Sequence, residues 1–137
     1  MDRVKFCKML TIAKKRSKKS TSDICFDMRC LPTALRRIEM GETNFQVAKC
    51  LDYLAVIGHH IELSSDTQEY IIRSADDLFE YIKAELEGRS IGQTSIDAGC
   101  NRNYFRLILN GTHDIPIDQF LRFNEIVGCD LYLVKNE

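Results

Sequence analysis

Shifted by 70 positions, the sequence falls on itself without a gap: Ser20 on Ser90, Asp27 on Asp97, Cys30 on Cys100, Arg36 on Arg106, Ile38 on Ile108, Gly41 on Gly111, Leu51 on Leu121 and Gly58 on Gly128. A fixed internal spacing constrains a chain severely, because whatever local structure one half adopts must also suit the other. With 137 residues in all, each half has room for a handful of short elements around a small core. The division falls near Ser65, giving units of 1–65 and 66–137, the second opening on a strand or linker at 66–73.

Local signals repeat with the spacing. Ser20-Thr21-Ser22-Asp23 and Ser90-Ile91-Gly92-Gln93 both have the form of a capping box, a hydroxyl for an orphan N–H and an acid or amide three residues on. A second helix is expected about ten residues later. Pro32 suits a first helical position, and Asn101 is a good N-cap one residue before Arg102. Between the two helices Gly99 supplies a left-handed residue, whereas Arg29 stands there in the first half at some backbone cost. Two short helices joined by a tight turn make a helix-turn-helix. Longer apolar-periodic stretches follow at Phe45 to Ile57 and Ile117 to Val127, each closed by a glycine. Earlier helices are expected from Val4 to about Lys15 and from Ser74 to Glu87, where Ser74 and Asp77 form another cap. Alternation marks strands at His60–Leu63, Gln68–Arg73 and Asp130–Val134, with the turn-like SSDT at 64–67 predicting a hairpin over the junction.

The formal net charge of -1 conceals an asymmetry. Met1 to Ser65 carries 12 Lys and Arg against 7 Asp and Glu, while Asp66 to Glu137 carries 7 against 13. Opposite fields suit opposite partners. No apolar run approaches the roughly 20 residues needed to cross a bilayer, and the N-terminus has no secretory core, so no membrane is implied and the cytoplasm is the expected location. The six cysteines then read as reduced, buried apolar thiols. Cys25 and Cys30, the nearest pair, lack the spacing and the histidine of a zinc site. Neither a phosphate-binding glycine loop nor a nucleophile, base and orienting acid can be found, so no catalytic residue, cofactor or metal is expected. His59-His60 and the acids Glu80, Glu85 and Glu87 read as solvent-facing.

The frame CLPTALRRIEMG, Cys30 to Gly41, and its counterpart CNRNYFRLILNG, Cys100 to Gly111, resemble the phage-repressor-like helix-turn-helix family, of the XRE, lambda-repressor-like or Cro/CI type. Arg37-Ile38-Glu39-Met40-Gly41 matches the family's recognition-helix ending well; Leu107-Ile108-Leu109-Asn110-Gly111 keeps only Ile and Gly. The resemblance covers roughly 60 residues per copy and implies a mostly α fold: two tandem four-to-five-helix repressor-like domains, with short strands at the junction and C-terminus. The recognition helices fall at about 31–40 and 101–110. It further implies a transcription regulator binding double-stranded DNA, because the second helix of each pair lies in the major groove in that family.

Carried over position by position, the DNA-facing candidates are Leu31, Pro32, Thr33, Arg36 and Arg37 in the first copy, with Asn101, Arg102, Asn103, Arg106 and Leu107 in the second. Thr21 stands where the family often has glutamine. The wheel agrees: Cys30, Leu35 and Ile38 share one side, as do Cys100, Phe105 and Ile108. Lys18 and Lys19, in the basic run Lys14 to Lys19, fall where the family approaches phosphates, though such a run is also an ordinary solvated helix end. In the second copy Leu107 and Tyr104 dilute the polar face, so that copy serves as a second DNA contact or as a pairing surface. A homodimer through the C-terminal strands or the second domain is a further expectation. The reading from a different class is a protein-interaction or antitoxin-like module that kept the fold and lost the DNA.

Overall fold

In the computed structural model, residues 1–111 and 114–137 are described. They form eight helices and three strands: α1 (Arg3–Ser17), α2 (Thr21–Met28), α3 (Pro32–Glu39), α4 (Val47–Val56), β1 (His59–Ser64), β2 (Glu69–Ile72), α5 (Ala75–Leu86), α6 (Ile91–Asp97), α7 (Tyr104–Leu109), α8 (Ile117–Val127) and β3 (Asp130–Lys135). The fold is mostly helical with one small antiparallel sheet. None of the described helices is long and apolar enough to cross a membrane.

Helix starts follow the local chemistry. The Ser20 hydroxyl accepts from the Asp23 N–H at 3.1 Å, Ser90 from Gln93 at 3.2 Å and Ser74 from Asp77 at 3.2 Å. Each satisfies one N–H that the helix itself leaves unpaired. Between α2 and α3 the chain turns through Arg29 at φ 53°, and between α6 and α7 through Gly99 at φ 78°. α7 departs from expectation. It begins at Tyr104 rather than Arg102, because the Asn101 side chain accepts from the Asn103 N–H at 2.9 Å and holds residues 101–103 in a turn. In the first half Pro32 starts α3 directly.

Several elements keep the spacing of 70: α2 and α6 start at Thr21 and Ile91, and α4 and α8 at Val47 and Ile117. α1 and α5 do not keep it in their packing. α1 buries Phe6, Cys7, Leu10 and Ala13, where a shift of 70 would predict Asp76, Asp77, Glu80 and Lys83; α5 instead buries Leu78, Tyr81, Ile82 and Leu86. The matched register therefore begins at Ser20.

The sheet has the order β2-β1-β3, so β1 is central and takes neighbours from both directions of the chain. Its pairing with β3 runs from His59 opposite Lys135 to Ser64 opposite Asp130, and Glu62 stands opposite Tyr132. Those last two positions are themselves 70 apart. Ile61, Leu63, Ile72 and Leu131 turn one face of the sheet into the core.

A second junction lies at the starts of α4 and α8. Gln46 bridges Pro116, again 70 apart. The Val47 N–H donates to the Ile115 carbonyl at 2.9 Å and the Ile117 N–H to the Phe45 carbonyl at 2.8 Å, one bond being the other shifted by 70. The side chains reciprocate as well. Asn44 accepts from the Asp118 N–H at 2.9 Å, and Asp114 accepts from the Ala48 N–H at 3.3 Å. Neither helix has a side-chain cap from its own N-cap residue, Gln46 or Pro116, so each is capped by the opposite half.

Arg3 adds a fork to Asp118, Nε and Nη2 donating at 3.0 and 2.8 Å, which ties α1 to α8. Two surface expectations are overturned in the sheet region. His59 and His60 are buried, since the central strand is covered on both edges: His60 sits between Asn136 Oδ1 at 2.5 Å and Glu62 Oε2 at 2.7 Å. Glu85 is half-buried and accepts from the Tyr70 hydroxyl at 2.6 Å. The six cysteines are unpaired thiols, and burial pushes that of Cys7 up to about 11.

Candidate nucleic-acid interface

α3 is eight residues long and strongly amphipathic, with Leu35 and Ile38 at 0% and 5% exposure turned onto α1 and α2. α7 does the same with Phe105 and Ile108 at 0% and 4%. From Leu31 to Met40 and from Asn101 to Asn110 the succession of exposed, half-buried and buried positions is identical, residue for residue. Leu31, Pro32, Thr33, Arg36 and Arg37 are all exposed, as are Asn101, Arg102, Asn103, Arg106 and Leu107. Within each helix the buried positions follow the helical period and leave Arg36 and Arg37, or Arg106 and Leu107, on the outer side.

The two faces are chemically unlike. On α3 the arginines occupy the last turn, where a cation also complements the helix carbonyl end. Among the described residues no side-chain hydrogen bond or ion pair engages the guanidinium group of Arg36 or Arg37, so both are available to a ligand. Arg37 lines a groove with Gln46, Lys49 and Asp114 that reaches the junction between the halves. On the α7 side Arg102 folds over α6. A Cβ placed on Gly92 would lie 3.0 Å from its Cγ and Nε, so the bare glycine makes room for the arginine. Asn103 donates its N–H to the Asn101 side-chain oxygen, and both residues are exposed. Tyr104 packs edge-on against Phe105 with 5.4 Å between centroids, and burial pushes its hydroxyl up to about 12.

The basic run at the end of α1 is partly neutralised within the chain. Lys14 pairs with Glu39 at 2.9 Å and also donates to Thr21 Oγ1 at 2.9 Å, while Lys19 pairs with Asp27 at 3.0 Å. Thr21 and Lys19 are therefore tied into the helix-turn-helix itself. Lys18, the left-handed residue closing α1 at φ 59°, is exposed, as are Lys15 and Arg16, and no described side chain pairs with these three.

Sequence reasoning missed the polar cluster behind α3. Glu39 takes Lys14 on one side and the Tyr53 hydroxyl on the other, the latter at 2.7 Å. At the matching positions Thr21, Glu39 and Tyr53 are replaced by Ile91, Leu109 and Phe123, so the second half is apolar where the first is hydrogen-bonded. A Glu followed fourteen residues later by a Tyr on an adjoining helix is the only trace this cluster leaves in the sequence. The surface of the first half also carries apolar groups outside the core, Phe26 at 83% exposure, Leu31 at 72% and Met40 at 63%.

Among the described residues no group of three or more His, Cys, Asp or Glu is gathered to hold a metal ion. Compared with protein-family models, curated proteins and solved structures, the chain matches none.

Proposed function

We propose that this chain is a cytoplasmic DNA-binding regulator, built from two repressor-like helix-turn-helix domains joined head to tail and related by a local two-fold axis. The observation that carries the reading is the pair α3 and α7: two short helices with identical patterns of exposure, each presenting arginine on an outer face its own fold leaves open. The axis is supported by contacts that repeat under a shift of 70, the reciprocal bonds at Val47 and Ile117 and the Glu62–Tyr132 pair. A two-fold rotation leaves height along its axis unchanged, so helices related by it lie level with one another, as the recognition helices of a repressor dimer do. Arg36 and Arg37, with Lys15, Arg16 and Lys18 beside them, supply the positive charge for phosphates. The strand that was expected to pair between chains, β3, has β1 of its own chain as partner, and a homodimer is not needed to present two helices.

Duplex affinity should fall steeply with salt, with a log-log slope of about -0.9 per phosphate neutralised. A fluorescence-anisotropy titration against mixed-sequence duplexes checks this, and no binding to any duplex at low salt rules the regulator out. Replacing Arg36 and Arg37 by alanine should weaken binding more than replacing Arg102 and Arg106. Arg102 is already folded onto α6, whereas Arg36 and Arg37 reach solvent unengaged.

The second reading, a protein-interaction module, is favoured by Phe26, Leu31 and Met40, exposed apolar side chains on the same helix-turn-helix. Retained affinity for a partner protein with no salt-dependent duplex binding would decide for it.

A further inference from the structure

We infer that the target of this chain is a non-palindromic duplex, two unlike half-sites on one face of the helix, each read by one of the two unlike halves. The inference rests on the DNA-binding reading above and adds the form of the sequence recognised. A homodimer presents one face twice, so symmetry in the protein imposes a palindrome on its operator. Here the positions correspond but the residues do not. Leu31 stands against Asn101, Pro32 against Arg102, and Arg37 against Leu107. Of the exposed positions on the two faces, Arg36 and Arg106 alone share an identity.

The chemistry of each face selects different base edges. Arginine pairs bidentately with the O6 and N7 of guanine, asparagine with the N6 and N7 of adenine, and an apolar or threonine side chain contacts the thymine methyl. The α3 face combines Arg36 and Arg37 with Thr33, and so suits a guanine-containing half-site flanked by thymine. The α7 side carries Arg106, with the exposed Asn101 and Asn103 in the turn that leads into the helix, and so suits adenine next to the shared guanine. Arg36 and Arg106, equivalent under the local two-fold, place that guanine at the same position in both half-sites. The reciprocal caps Asn44 and Asp114 hold the halves in one relative orientation, which fixes the spacing between the half-sites.

Selection of bound sequences from a random duplex pool, with the full chain at low salt, tests this directly. Two dissimilar half-sites at constant spacing are expected. Arg36→Ala with Arg37→Ala should erase enrichment of one half-site, and Asn103→Ala with Arg106→Ala that of the other, each weakening the selected duplex about tenfold. A palindromic consensus, or a single half-site insensitive to one of the two double variants, overturns this inference and leaves DNA binding intact. Failure to retain any duplex overturns DNA binding itself.

Discussion

At φ 53° Arg29 occupies backbone space that a Cβ disfavours, and its counterpart Gly99 occupies the same space at φ 78° with no Cβ at all. Both residues close the first helix of their pair in the same way, the next N–H reaching back to Cys25 at 3.1 Å and to Ser95 at 2.9 Å. The strain on a side chain in this region is about 1–2 kcal/mol, and glycine gives back roughly 0.5–1 kcal/mol of it through the looser unfolded chain. Arg29→Gly should therefore stabilise the protein by about 0.5 kcal/mol, a rise in Tm of roughly 2 °C. Gly99→Ala should lower it by at least as much, because a Cβ there meets nothing closer than Arg122 Nη1 at 3.7 Å and only the strain is added. Thermal unfolding of the two variants checks the sign, and a loss of stability in Arg29→Gly would show that its side chain contributes something the backbone argument omits.

Helices α4 and α8 owe their first turns to residues from the opposite half. Asp114 serves α4 and Asn44 serves α8, and an acidic side chain at this place also complements the positive end of the helix. Removing a cap of this kind costs about 1 kcal/mol. Asn44→Ala and Asp114→Ala are each expected to lower the unfolding free energy measured by urea titration by that amount, and the double variant by roughly the sum, since the two caps serve different helices. Equality of either variant with the parent would remove the caps from the account of how the halves are held. These bonds also explain what was and was not legible in the sequence. Ser20, Ser74 and Ser90 announced their helices because a cap and the N–H it serves lie within three residues. Asn44 and Asp118 are 74 positions apart, and nothing local connects them. α7 began late because Asn101 can act either as a cap or as the head of an Asx turn, and only packing chooses between them. The outer faces of α3 and α7 were legible from the helical period, whereas the burial of His60 depended on β1 becoming the central strand, which periodicity does not reveal.

On the scale of the whole chain, the halves are distinct in sequence and joined in structure. β1 belongs to the first half by position, yet both of its neighbours, β2 and β3, come after Ser65. The first half alone would expose Ile61 and Leu63, which are fully buried in the intact protein, and would leave both edges of β1 without hydrogen-bond partners. Each of those side chains contributes about 1.5–3 kcal/mol by burial, a large share of what a unit of 65 residues can command. α4 would lose the Asp114 cap in addition. A fragment spanning 1–65 is thus expected to show no cooperative thermal transition by circular dichroism. The contacts that join the halves are non-covalent, so mixing it with a fragment spanning 66–137 should restore one, at a midpoint that rises with concentration. The intact chain should unfold in a single transition seen alike by circular dichroism and tyrosine fluorescence. Cooperative unfolding of the isolated 1–65 fragment would make the halves independent domains, joined by linkage rather than by a shared core.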